Sequence, residues 1–434
     1  MFQNQSRRET QQVPPPVQSP VGVSDRAPSQ TWWRDISPKH WWALSAVLLG
    51  NVLDAFDVMV YAFALTTILH EWNLTTLQAG FLATVSLLAC SFGGVLSGTI
   101  ADKIGRKRAI VLCISIFTLF SGLSAFTQSL TQLAMTRAAL GLGWGGMWTV
   151  AVLLISESWP VRHRGKALAV ANAGWPIGYI LAAIASTFVL PVHGWRVLFF
   201  LGVVPGLLIF WIIRNVDESP LYLKARAEKK MGTDYLQIFR GKLLRPTLTM
   251  SLISTLTMCG YWGLFTWLPG YLSLPLEKGG AGLSVAKSSA FLIPAMVASW
   301  FGQTAFGFLA DRFGRRPVFA VYVLVSTVMI YVLSSVRDAT SLFILSPFLG
   351  FFASGAFAGF GPMLSEAFPT SARALGVGFT CNFGRGISSF APAIIGLLGE
   401  WYGIGGALVI TAGFYLLSAG AIFLVPETAG KELD

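Results

Sequence analysis

Of 434 residues, 54% are hydrophobic and only 12% are charged, about half the charged share of an ordinary soluble domain. That composition excludes a soluble globular fold and points to an all-α polytopic membrane protein. The net charge of +11 raises nucleic acid as a partner, but no basic face interleaves with stacking aromatics and the basic residues sit in short loops between apolar runs, so nucleic acid is set aside.

Residues 1–40, rich in Gln, Pro, Ser and Arg and without the apolar core of a cleavable signal, read as a disordered tail. A bilayer span needs about 20 mostly apolar residues. Twelve segments qualify, at 41–66, 78–101, 108–128, 132–156, 166–190, 195–214, 246–272, 286–310, 316–335, 340–364, 374–398 and 403–425. The first carries Asp54 and Asp57 in "LDAFDVMVYAF", with Tyr61 one turn further on. The fourth opens with "RAALGLGWGG", Arg137 to Gly146, and continues to Trp148; the fifth holds Asn172, Trp175 and Tyr179. A basic connection, 215–245, separates a six-helix bundle at 41–214 from a second at 246–426, and suggests a short amphipathic helix on the membrane surface. The seventh segment carries Tyr261 and Trp262, the eighth Gln303, and the eleventh Asn382 and Arg385 in "TCNFGRGISSFAP"; 427–434 form a tail. The four cysteines, Cys90, Cys113, Cys259 and Cys381, lie in apolar runs without metal or redox spacing and read as buried packing residues. No metal or organic cofactor is expected.

Lys and Arg set the orientation. The tail, the even-numbered loops and the C-terminus hold 25, against four on the other side, so both termini are expected to be cytoplasmic.

Two motifs recur at one offset. "GTIADKIGRKR" from Gly98 and "GFLADRFGRRP" from Gly307 lie 209 residues apart, as do "SESWPVRHRG" from Ser156 and "SEAFPTSARA" from Ser365. Asp102, Gly105, Arg106 and Glu157 thereby map onto Asp311, Gly314, Arg315 and Glu366. Such a repeat of two six-helix halves implies a pseudo-twofold axis along the membrane normal and a site between the halves.

At these residues the chain resembles the major facilitator superfamily. "GTIADKIGRK" is similar to that superfamily's loop motif between helices 2 and 3, and "RAALGLGWGG" to its helix 4 motif. "DESPLYL" (217–223) and "PETAGKEL" (426–433) resemble the signatures after helices 6 and 12 of proton symporters for sugars and metabolites. "LDAFDVMVYAFAL", "ISESWPVRHRGKA" and "HGWRVLFFLGVVP" look most like bacterial sialic acid permeases and their lactate permease relatives. Sialic acid permeases usually carry two further central helices, for which this chain has no room. The resemblance implies alternating access in the inner membrane, a monomer, and Arg137 in helix packing and proton transfer. Asp102, Arg106, Asp311 and Arg315 would latch one conformation, with Glu157 and Glu366 as partners.

Buried charge narrows the chemistry. Asp54 and Asp57 stand i, i+3 on one helix face; two carboxylates so close in hydrocarbon cannot both ionise comfortably, so one is expected to exchange a proton. The rival reading pairs Asp57 with Arg137. Arg385, flanked by Gly384 and Gly386, offers bidentate donors matched to a carboxylate, either a substrate's or that of Asp54 or Asp57. Asn382, Tyr61, Trp148, Asn172, Trp175, Tyr179, Tyr261, Trp262 and Gln303 are the further substrate-lining candidates. Embedded carboxamides are too few to pair a hexose, because a buried hydroxyl left unpaired costs about 1–3 kcal/mol. The expectation is proton-coupled uptake of a small organic acid such as lactate, pyruvate or sialate. The alternatives are a proton symporter for a sugar or aromatic acid, and an organic anion exporter or exchanger. No constellation of nucleophile and base suggests an enzyme.

Overall fold

Each apolar run becomes helix because hydrocarbon offers no partner to an open backbone group. The structure, a computed structural model, describes residues 36–227, 236–336, 338–369 and 372–427. Of the expected tail 1–40, residues 1–35 lie outside the described residues, while 38–40 already belong to the first helix; 228–235 of the connection and 428–434 of the expected C-terminal tail 427–434 also lie outside them.

In the first half, α1 (Pro38–Glu71), α2 (Thr76–Ile104), α3 (Arg106–Ser124) and α4 (Leu130–Ser158) are followed by α5 (Val161–Asn172), α6 (Gly174–Phe200) and α7 (Gly206–Asn215). The short α8 (Pro220–Ala227) opens the connection. The second half comprises α9 (Leu244–Ser273), α10 (Val285–Phe313), α11 (Arg315–Ser335), α12 (Ala339–Leu349), α13 (Phe360–Ala367), α14 (Arg373–Ser388) and α15 (Ala391–Ala421). Side-chain caps set several starts: Thr75 and Gln78 form a reciprocal capping box on α2, and Ser129, Ser284 and Asp338 cap α4, α10 and α12.

Among the described residues, ten runs are long and apolar enough to cross a membrane, and two of them are 50 residues long. Those two fold back at Gly194 (φ 73°) and Gly403 (φ 71°), which makes twelve crossings. A positive φ of this kind favours glycine. Gly105 (φ 100°) and Gly314 (φ 98°) make the matching turns at the other end of the bundle, and both glycine pairs keep the 209-residue offset.

Three spans break where the sequence pattern shows continuous helix. The fifth turns at Ala173, between α5 and α6. The eleventh breaks at Ser389 and Phe390, ahead of Pro392, whose ring excludes the helical position of the carbonyl four residues earlier. In the tenth, α12 contains Pro347 and runs into a π-helical turn, Gly350–Ser354, and a 3₁₀ turn, Gly355–Gly359.

Within the halves α2 and α3 pack on α4, α1 on α6, and α9 on α14 and α15. Small residues make this possible: a Cβ on Gly145 would stand 1.8 Å from the Cys90 carbonyl oxygen of α2, and one on Gly141 would stand 2.3 Å from that of Ser86. Between the halves α2 meets α14 and α15, α6 meets α10, and α1 meets α9. At the end opposite the Gly105 and Gly314 turns, Thr76 Oγ1 donates to the Gly396 carbonyl (2.7 Å) and Ser289 Oγ to that of Ala183 (3.0 Å). Gly80 and Gly396 let the backbones of α2 and α15 touch there, since a Cβ on either would lie 2.3 Å from a carbonyl oxygen of the facing helix.

A side chain at this seam must therefore push the halves apart. Gly396→Val is expected to widen this end of the interface by about 1 Å or more. Distances between spin labels on the outer ends of α2 and α15 check this; an unchanged distance distribution would show that the seam does not depend on the glycine.

Candidate functional site

Two buried charge clusters lie within the helix bundle. The first belongs to one half. Asp57 of α1 accepts a hydrogen bond from Ser121 Oγ of α3, and its other oxygen stands 3.8 Å from Arg137 Nη1 of α4. Arg137 is 1% exposed, and its guanidinium lies 5.0 Å from the Tyr61 ring and 5.5 Å from the Phe199 ring, where aromatic faces add cation–π attraction. Tyr61 donates its hydroxyl to the Ala79 carbonyl at 2.7 Å, so it packs this pair. Gly202 closes the pocket, since a Cβ there would press on Asp57 and Ser121.

The second cluster spans the two halves. Asp54 of α1 is 3% exposed and lies within electrostatic range of Arg385 of α14. Arg385 Nη1 contacts Cys90 Sγ of α2 at 3.7 Å, the guanidinium lies 5.3 Å from the Trp148 ring, and Nε has no hydrogen-bond partner. Arg385 is 9% exposed. One turn earlier, Asn382 donates to the Gly378 carbonyl while its Oδ1 is buried and unpartnered beside Gly94. Asp54 and Asp57 thus share a helix face but not a partner.

Aromatics join this cluster to a hydroxyl chain. Trp144 and Trp175 are near parallel, with centroids 6.3 Å apart, and Trp262 of α9 stands edge-on to both at 5.4 and 5.9 Å. Trp175 Nε1 donates to the Tyr261 hydroxyl at 3.0 Å, tying α6 to α9. Ser299 Oγ donates to Ser354 Oγ at 2.6 Å and receives Gln303 Nε2 at 3.3 Å. A larger cleft of about 540 Å³, lined by Leu48, Val170, Ile177, Met296 and Trp300, lies elsewhere between α1, α5, α6 and α10. It is apolar and carries no charged group, so it does not compete with the charged seam as the site of ionic chemistry.

At the Gly105 and Gly314 end, Arg106 is a hub. It pairs with Asp102 at 3.0 Å, binds Glu157 through Nε (2.9 Å) and Nη2 (2.8 Å), and lies 4.8 Å from the Tyr222 ring of α8. Glu218 accepts from the backbone N–H of Arg106 (2.7 Å) and of Lys107, at the start of α3. The second half repeats this: Arg315 pairs with Asp311 (2.6 Å) and Glu366 (3.5 Å), and Glu427 accepts from the N–H of Arg315 (2.9 Å) and Arg316 (3.1 Å). A carboxylate at a helix N-terminus meets unpaired N–H groups and the positive end of the dipole.

Comparison with known proteins decides the family. The sequence profile of the Major Facilitator Superfamily matches residues 47–297 and 280–433. The chain belongs to the Major Facilitator Superfamily. It is 33% identical over 91% of its length to a putative metabolite transport protein of Haemophilus influenzae, covering 98% of that protein. A probable 4-methylmuconolactone transporter of Cupriavidus pinatubonensis is 32% identical, with 93% of this chain and 94% of that one covered. The sialic acid transporter NanX of Escherichia coli is 31% identical, with 89% and 94% covered. That relative too is matched almost end to end, so chain length does not argue against sialic acid as the two-extra-helix comparison suggested. Among solved structures, the partially occluded inward-open xylose transporter XylE of E. coli superposes with a TM-score of 0.75 at 19% identity, covering 92% of this chain and all of that one. The protein is a multi-pass transporter and not an enzyme.

Within this superfamily member, the remaining sequence candidates divide. Asn51, a buried carboxamide outside the candidate set, donates to the Ala171 carbonyl at 2.9 Å, an α1–α5 tie. Asn172 is exposed at the α5 break, so it does not line the seam between the charge clusters. Tyr179 is fully buried with its hydroxyl unpartnered. Gly98 and Gly307 face open space. Gly384 and Gly386 do not leave room for a ligand as expected: they let α14 approach Ser254 of α9 and Ser91 of α2. The residues that sequence reasoning missed are Cys90, Ser121, Ser299, Ser354, Glu218 and Glu427. The last two had a signal, because they too are 209 apart; the others are small residues made functional only by their neighbours.

The two capping carboxylates are expected to act alike. Glu218→Gln and Glu427→Gln should each lower stability by about 0.5–2 kcal/mol, read as matched drops in thermal unfolding temperature of the purified protein. Asp102→Asn, at a half-exposed ion pair, should cost less than about 1 kcal/mol. A large loss from Asp102→Asn alone would reverse this ranking.

Proposed function

We propose that this transporter takes up a small organic acid together with protons, by alternating access of the halves 41–214 and 246–426 around Arg385. The carrying observation is the state of that guanidinium. It is buried at the seam between the halves, faces Asp54, and spends one donor on a thiol, a weak acceptor, while Nε has no partner. A charge in hydrocarbon is worth stabilising only where it meets an opposite charge, and a bidentate carboxylate satisfies the unused donors. NanX, a relative that transports sialic acid, handles an acid of this class.

Proton coupling is assigned to the two aspartates. With Asp54 ionised, Arg385 has an internal counter-charge; with Asp54 protonated, the guanidinium is free to hold the substrate's carboxylate. Asp57, sealed with Ser121 and Arg137, senses protonation within the first half and changes how α1 packs on α3 and α4. The arginine hubs at Arg106 and Arg315 lie on the cytoplasmic face in this reading and latch the alternate facing. The basic residues of these loops support that orientation.

Uptake by vesicles containing the purified protein tests the proposal. A labelled panel of organic acids and neutral sugars is presented with and without an inward proton gradient. Gradient-driven accumulation of a carboxylate is expected. Arg385→Ala should abolish both binding and uptake, whereas Asp54→Asn and Asp57→Asn should lose uphill accumulation but retain exchange. Accumulation of a sugar alone would overturn the assignment of Arg385, and normal uphill uptake by both Asn variants would overturn the coupling assignment.

A further inference from the structure

The hydroxyl chain on the far side of the indoles has a direction. Gln303 Nε2 donates to Ser299 Oγ, and Ser299 Oγ donates to Ser354 Oγ. Trp175 Nε1, which can only donate, points at the Tyr261 hydroxyl oxygen at 3.0 Å. That bond uses an acceptor site of Tyr261, and its own O–H proton is left to donate. Tyr179, 0% exposed, packs on Phe265 as Tyr261 does, and its hydroxyl has no hydrogen-bond partner. Two buried hydroxyls therefore present donors from opposite halves of the molecule, in a place where an unmade hydrogen bond is expensive.

These tyrosines connect to Arg385 through a continuous run of neighbours. Arg385 lies 5.3 Å from the Trp148 ring, which is one turn along α4 from Trp144; Trp144 meets Trp262 at 5.4 Å, and Trp262 meets Tyr261 at 5.3 Å. The π-helical turn Gly350–Ser354 supplies Ser354 to this chain, and such a turn is a local irregularity often found at functional sites. We propose that Tyr179 and Tyr261 form a second subsite that donates hydrogen bonds to an oxygen at the far end of the substrate. The substrate is then a carboxylate whose opposite end carries a hydroxyl, carbonyl or second carboxylate. One end is held by Arg385 of the second half, and the other by a tyrosine from each half. The inference rests on the organic-acid reading of Arg385.

The test uses the full chain in detergent and equilibrium binding of paired acids that differ only at the far end: benzoate with 4-hydroxybenzoate, and hexanoate with adipate. The oxygenated member of at least one pair should bind about tenfold more tightly, the yield of one or two hydrogen bonds. Tyr179→Phe and Tyr261→Phe, separately and together, should erase that preference while leaving the affinity of the plain acid within about twofold. Trp175→Phe breaks the bond between the halves but spares the tyrosine hydroxyl, so it should keep the preference. Arg385-dependent binding without preference in the native protein, or equal losses for both members in the Phe variants, overturns the second subsite and leaves the organic-acid reading standing. Failure of every acid to bind in an Arg385-dependent way overturns that reading, and this inference with it.

Discussion

An ionised side chain in hydrocarbon costs about 2.5–3.5 kcal/mol even by insertion measurements, so each buried charge in this protein has to be placed against something. The structure meets that constraint in two ways. Asp57 and Arg137 are paired inside one half, with Ser121, Tyr61 and Phe199 completing the enclosure. Asp54 and Arg385 lie within electrostatic range of each other across the seam, the guanidinium against a thiol and the Trp148 indole. The first arrangement holds a half together; the second joins two bodies that are able to separate. This difference makes the second cluster the natural place for a substrate ion to replace an internal one.

The scaffold around these charges is twofold and the chemistry is not. Turns at Gly105 and Gly314, hairpins at Gly194 and Gly403, arginine hubs at Arg106 and Arg315, and caps by Glu218 and Glu427 all repeat with one offset. At the same offset Asp54 maps to Gly263, Asp57 to Thr266, Arg137 to Ser346 and Arg385 to Pro176. The duplicated parts are those that a rocking pair of bundles needs at its ends. The unduplicated ones, Asp54, Asp57, Arg137 and Arg385, are buried within the bundle, where the two halves differ.

Helix irregularity recurs in the spans that flank the second cluster. The breaks at Ala173 and at Ser389–Phe390, and the π-helical turn at Gly350–Ser354, lie in the spans that carry Trp175, Arg385 and Ser354. In lipid, a departure from regular helix is tolerated where the freed backbone groups are buried in protein. Here Pro347 and Pro392 start the departures, and packing against the facing helices completes them: a Cβ on Gly350 would lie 1.8 Å from the Ala295 carbonyl oxygen.

The sequence by itself determined the membrane class, the twelve crossings, the two halves and the identity of the buried charges. Each of these follows from a local or periodic property: run length against bilayer thickness, an offset shared by two motifs, and the rarity of charge in an apolar segment. Tertiary structure alone decided which carboxylate meets which arginine. Spacing along α1 places Asp54 and Asp57 on one face, but a 60° difference in direction sends one to α14 and the other to α3 and α4. It also decided the roles of Cys90, Ser121, Ser299 and Ser354, since a small side chain has no signature until neighbours on other helices give it a partner. Gly384 and Gly386 likewise serve helix contact, because which surface faces them is settled by packing between spans that lie more than a hundred residues apart in the chain.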